Sequence, residues 1–180
     1  PETLDLPANK SLIPGIVNSD EFTRKKGEPA LPLVWQWNHN PVNTLWSLTE
    51  RKGYLRLKTG RIDSTYVQAR NTLTQRTIGP LCSGSTSLDV SKMKDGDFAG
   101  FSVLQKKYGL VGVKIDAGQK SIVMINADND KPVEVQRIPL GQDKIYFRID
   151  CDFTGMNDEA KNLYTLNGKD EAKFSYSLDG

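Results

Sequence analysis

The segment from Lys144 to Phe153 does most to narrow what this chain can fold into. Ile145, Phe147, Ile149, Cys151 and Phe153 alternate with Tyr146, Arg148, Asp150 and Asp152. Successive side chains of a strand point to opposite faces, so this segment is a strand with one apolar and one polar face. Such a strand needs a second layer to cover its apolar side. Tyr54 to Lys58, Leu110 to Ile115, Ser121 to Ile125 and Lys173 to Leu178 carry shorter β-type runs. Turn signals separate the runs: Lys94-Asp95-Gly96-Asp97, Asp116-Ala117-Gly118, Ala127-Asp128-Asn129-Asp130, Leu166-Asn167-Gly168 and Asp179-Gly180. Helical periodicity is nearly absent, and only Gly155 to Tyr164 suggests a turn or two of helix. Many short strands with Gly- and Asp-rich turns predict an all-β fold of two packed antiparallel sheets, a β-sandwich. No fixed-period repeat is visible, which argues against a propeller or solenoid within this chain.

Size and charge narrow the function classes. At 180 residues the chain is long enough to bury one substantial core. A hydrophobic fraction of 37% and a charged fraction of 26% fit a folded globular chain rather than a disordered one. The net charge of +2 is spread along the sequence, and the densest basic block is Arg24-Lys25-Lys26, so nucleic-acid binding is not expected. No apolar run approaches the ~20 residues that span a bilayer, so no membrane partner is expected. The chain opens at Pro1-Glu2-Thr3 without the pattern of a signal peptide, and reads as a piece of something larger. Residues 1–30 hold Pro1, Pro7, Pro14, Pro29, Gly15 and Gly27, the composition of a linker or lead-in, with Leu12 to Val17 able to dock on a neighbour. The sandwich itself is expected over residues 31–180.

The residues able to do chemistry are few. The one histidine, His39, lies beside two tryptophans and Pro41, where a structural hydrogen bond is its commoner role. No second histidine offers a His-rich metal site, and no phosphate-binding glycine loop occurs. Cys82 and Cys151 are not in a CxxC pair, so they are either one disulfide or two thiols packed as small hydrophobes. Acids gather in turns. Asp95 with Asp97, and Asp128 with Asp130 and Asp143, could supply oxygens to a structural calcium ion, as could Asp20 and Glu21 ahead of the first core segment. Arg148, Asp150 and Asp152 share a polar strand face with Tyr146, either as a cross-strand ion-pair ladder or as a groove for sugar hydroxyls. Arg70, Thr72, Thr74 and Arg76 would form a second polar stripe. Trp35, Trp37 and Trp46 fall within a dozen residues and could stack on sugar rings, but packing into the core is the commoner fate of such a group.

Six ordered blocks carry a family resemblance. They are Leu31 to Pro41, Trp46 to Glu50, Gly53 to Leu57, Gln68 to Arg76, Asp95 to Gly100 and Phe174 to Gly180. Together they resemble the C-terminal concanavalin A-like (jelly-roll) β-sandwich of family 43 glycoside hydrolases, the β-xylosidase and α-L-arabinofuranosidase group. The resemblance runs from about Asp20 to Gly180. It implies an N-terminal five-bladed β-propeller as partner, carrying the three catalytic carboxylates, none of which falls in this chain. It also implies that one sandwich loop closes the side of the substrate pocket. By position that loop is Lys58 to Thr65. Related β-xylosidases can present an aromatic residue there, whereas this loop reads Thr59-Gly60-Arg61-Ile62-Asp63-Ser64, leaving Arg61 or Ile62 as the substitute. Domains of this type usually continue past the Tyr-Ser-Leu-Asp-Gly turn, so closing strands are expected beyond Gly180 or on another segment. Three functions follow: a non-catalytic module shaping the pocket of a xylan- or arabinan-degrading hydrolase, an independent xylan-binding module, or a self-contained sandwich glycosidase with paired acids. The candidate substrate contacts are Arg61, Ile62, Asp63, Arg70, Arg76, Arg148 and Asp150, and the ligand is an oligosaccharide of xylan or arabinoxylan type. A bacterial-type secreted or periplasmic location is implied, with the cytoplasm as the alternative.

Overall fold

The computed structural model describes residues 15–25, 30–128, 131–155 and 169–180. Most of the lead-in, Asn129-Asp130, the helical turn expected after Gly155 and the Leu166-Asn167-Gly168 turn lie outside the described residues. The chain divides into two compact units, residues 1–76 and 77–180.

The first unit has little regular structure. Its strands are β1 (Gln36–Trp37), β2 (Trp46–Ser47), β3 (Arg56–Leu57) and β4 (Leu73–Thr74). β1 pairs with β4 and β2 with β3, both antiparallel. The alternating run Tyr54 to Lys58 therefore yields only two laddered residues. Amide side chains extend the pairing where the strands stop. Asn71 is buried and left-handed (φ 59°). Its carboxamide accepts from the Val42 N–H at 2.8 Å and donates to the Val42 carbonyl at 3.1 Å. Gln75 does the same to Asn18, accepting its N–H at 2.9 Å and donating to its carbonyl at 2.8 Å. Each amide stands in for one rung of a strand, and Asn tolerates the left-handed backbone better than most residues.

The second unit is the sandwich. Its strands are β5 (Leu81–Asp89), β6 (Phe98–Leu104), β7 (Tyr108–Asp116), β8 (Gln119–Ala127), β9 (Val133–Pro139), β10 (Lys144–Gly155) and β11 (Lys169–Ser177). β6-β7-β8-β9 form a four-stranded antiparallel meander, and β11-β10-β5 a three-stranded antiparallel sheet. The expected all-β architecture is present, and among the described residues there is no α-helix. The turn at Asp116-Ala117-Gly118 joins β7 to β8 with positive φ at both Ala117 (48°) and Gly118 (76°), the hairpin geometry that glycine eases.

The two sheets meet over one apolar core. Val111, Val113 and Ile122 come from the meander, Ile145 and Phe147 from β10, and Val90 and Leu140 from the residues just past β5 and β9. Leu88, Phe101, Met124, Ile138 and Phe174 pack against this group. The alternation of β10 appears as expected: Ile145, Phe147, Ile149 and Cys151 are buried, while Arg148 and Asp152 are exposed. Burying each large aliphatic or aromatic side chain contributes about 1.5–3 kcal/mol. The Phe174 ring of β11 lies over Gly109 of β7. A Cβ at Gly109 would lie 2.5 Å from the end of the Phe174 ring, so any larger residue there would have to displace that ring.

Candidate functional site

The Lys58 to Thr65 loop leaves β3 and runs into a single 3-10 turn, Tyr66–Gln68. Its base is fixed at several points. The Lys58 N–H donates to the Leu45 carbonyl at 2.8 Å, and the Lys58 ammonium meets Glu50 at 2.5 Å. Gly60 lies against Leu45, and a Cβ there would have to push a Leu45 methyl aside. Arg61 pairs with Asp63 and donates to the Gln68 carbonyl at 3.2 Å. Ser64 donates to the Gln68 side-chain oxygen at 2.6 Å. Between these anchors Ile62 is 100% exposed. The loop thus holds its backbone through polar contacts and presents one fully solvated branched apolar side chain. Gln68 escaped the sequence reading as a brace; its four-residue spacing from Ser64 was the available signal.

The other candidates take separate roles. Arg70 and Arg76 are exposed, but the segment between them is no continuous polar strand. Only Leu73–Thr74 is laddered, the Thr72 hydroxyl donates to the Ala69 carbonyl at 3.1 Å, and the Thr74 hydroxyl to the Gln36 carbonyl at 2.9 Å. In the other unit, Arg148 and Asp150 bind each other along β10 at 2.7–3.0 Å. Ser83 and Ser85 of β5 and Lys173 and Ser175 of β11 stand beside them in register. The hydrogen bond to Arg148 lowers the Asp150 pKa, and that to Asp150 raises the Arg148 pKa. The pairing is along one strand, where a ladder across strands was one of the two expectations.

Asp20 is an anchor for the first unit. Its carboxylate accepts from the Phe22 N–H at 2.7 Å, from both Arg24 terminal nitrogens at 2.5–2.7 Å and from the Trp35 indole at 2.9 Å. Burial acts to raise its pKa, but these hydrogen bonds and the Arg24 charge outweigh burial and hold it below the usual carboxylate range. Its neighbour Glu21 is exposed. Asp95 and Asp97 accept backbone N–H groups of Gly118 and Lys94 at 2.8 Å, Asp128 pairs with Lys107 at 2.9 Å, and Asp143 pairs with Lys120. Asp130 lies outside the described residues. Among the described residues no three His, Cys, Asp or Glu side chains converge on one point. Among the described residues, the carboxyls with shifted pKa values, Asp20, Asp116, Glu134, Asp150 and Asp152, all move down. A glycosidase general acid requires the opposite shift.

The aromatic and histidine side chains are engaged internally. Trp35 packs on Phe22 with ring centres 5.7 Å apart, and Trp37 on Trp46 at 5.3 Å, so the neighbours Trp35 and Trp37 choose different partners. The Trp46 indole donates to Asn43 at 3.1 Å. His39 donates through Nε2 to the Val67 carbonyl at 2.7 Å.

Comparison with known proteins places this geometry. The family model described as the β-xylosidase C-terminal concanavalin A-like domain matches residues 19–180. A β-xylosidase of Formosa agariphila is 32% identical over 184 residues, which is 89% of this chain and 27% of that protein. Among solved structures, a bifunctional GH43-CE protein of Bacteroides eggerthii is 59% identical and superposes with a TM-score of 0.85 over 98% of this chain and 21% of that one. A GH43 glycoside hydrolase engineered to display both endo-xylanase and exo-arabinofuranosidase activity is 28% identical, with a TM-score of 0.74 over 96% of this chain and 33% of that one. This chain therefore spans between a fifth and a third of each of these relatives. With the six sequence blocks, the two-sheet core and a match over residues 19–180 in agreement, the chain belongs to the family of β-xylosidase C-terminal concanavalin A-like domains.

Proposed function

We propose that this domain is the non-catalytic wall of a family 43 hydrolase pocket, and that Ile62 is the side chain it presents there. The observation that carries the reading is the combination of a braced loop with a fully exposed isoleucine at its tip. A surface loop with no partner gains nothing from fixing an apolar residue in water, whereas a loop that lines a pocket gains the burial of that residue when the pocket fills. A catalytic domain supplied by the rest of the protein is consistent with the small share of each relative that this chain covers. The relatives' descriptions as β-xylosidase, endo-xylanase and exo-arabinofuranosidase point to xylose- or arabinose-containing oligosaccharides as the ligand class. The polar face around Arg148 and Asp150 makes a weaker sugar site, because those two groups already satisfy each other.

The test is kinetic and uses the full-length enzyme. Ile62→Ser removes about 2 kcal/mol of apolar contact, so kcat/KM for a xylo-oligosaccharide should fall roughly 10- to 30-fold. Shortening residues 59–64 should cost more. Unchanged kcat and KM in the shortened enzyme would refute the proposal.

A further inference from the structure

Cys82 and Cys151 sit directly opposite each other in the β5–β10 ladder, and both are free thiols. The type of pair follows from its neighbours. The Val90 N–H donates to the Asp143 carbonyl, and the Phe153 N–H to the Pro80 carbonyl. Both bonds lie at the two ends of the same register, in which Asp89 faces Lys144 and Leu81 faces Asp152. Hydrogen-bonded pairs recur at every second residue, so Cys82 and Cys151 form a hydrogen-bonded pair. Such pairs hold their Cα atoms about 5.5 Å apart, inside the 4.4–6.8 Å window of a disulfide. Their Cβ atoms are farther apart than a relaxed disulfide prefers, so a bond here carries strain and opens readily.

We infer that Cys82 and Cys151 are a reversible redox site, closing to a cross-strand disulfide when a small-molecule disulfide is present. Cys82 is half-buried and Cys151 is buried, so the chemistry enters at Cys82. The Cys82 thiolate attacks the small disulfide and expels one thiolate. Cys151 then gives up its proton, attacks the mixed disulfide and expels the second. One S–S bond is broken and one formed, and the two electrons and two protons end on two small thiols. Burial beside Cys82 pushes the Cys151 thiol up to about 11, which suits it to the second step, against a disulfide already held within reach, rather than to first attack from solvent. The bond would tie β5 to β10 around the entire meander.

The experiment places the full-length protein in glutathione buffers from fully reduced to fully oxidised, quenches with acid, alkylates free thiols and maps the peptides. The expected result is a Cys82–Cys151 peptide that appears in oxidised glutathione and is lost again at about millimolar reduced glutathione. Cys82→Ser should leave Cys151 unmodified throughout. The wild-type map is decisive without any variant. Full alkylation of both cysteines across the series would overturn the inference, as would glutathione retained on Cys82 with no link to Cys151.

Discussion

The two units are held together by different means. Residues 77–180 form long continuous ladders over a core led by Val113, Ile145 and Phe147. The described part of residues 1–76 has strands of two residues each and relies on specific side chains: Asp20 gathering Arg24 and Trp35, Asn71 clamping Val42, Gln75 clamping Asn18. Apolar burial is non-directional and tolerates substitution by shape, whereas a polar anchor is tied to one geometry. The anchored unit is also the one that carries the braced loop, where a defined side-chain position matters most.

Three outcomes follow from this contrast. The largest is Phe147→Ala, which should cost about 4 kcal/mol by denaturant titration, because the ring is 1% exposed at the centre of the core. A loss below about 1 kcal/mol would mean that the sandwich does not rest on this core. Next is Asp20→Asn, expected to cost about 2 kcal/mol at neutral pH, measured by the same titration. The sign with pH follows from the lowered pKa of Asp20 in the fold. Its stabilisation is complete above the ordinary carboxylate pKa of about 4 and fades as acid protonates it, so wild type and variant should converge at low pH. A gap that persists unchanged in acid would show that charge is not what Asp20 contributes. The smallest is Arg148→Ala, where an exposed ion pair on a strand already fixed on both sides should leave the midpoint of the same denaturant titration unmoved within error.

Legibility in the sequence divides along the same line. The alternation from Lys144 to Phe153 placed β10 and its buried face because period-two patterning reflects burial directly. The Asp116-Ala117-Gly118 turn was legible because few residues accept positive φ. The short strands of the first unit were not: Tyr54 to Lys58 and Arg70 to Arg76 alternate like strands, but only Arg56–Leu57 and Leu73–Thr74 are laddered, and in the second run the Thr72 and Thr74 hydroxyls bond backbone carbonyls. Trp35 and Trp37 stand two residues apart in sequence, yet only Trp37 lies in a strand, and the two pack on different rings, Phe22 and Trp46. At the site, Ile62 stood out only through the family resemblance; the braces from Asp63 and Gln68 depend on a loop path that no periodicity encodes.

The order of pairing in the second unit has a kinetic consequence. β6 to β9 pair with their immediate sequence neighbours, while β5 must wait for β10, with the whole meander between them. Loop closure over that span costs entropy that grows only slowly with length, but contacts so distant in sequence slow folding markedly. Until β5 joins β10, one side of β10 and the whole of β5 have no strand partner, the condition under which nascent β proteins associate with one another. The β5–β10 encounter is therefore the step of folding at which this unit offers other chains the most unpaired backbone.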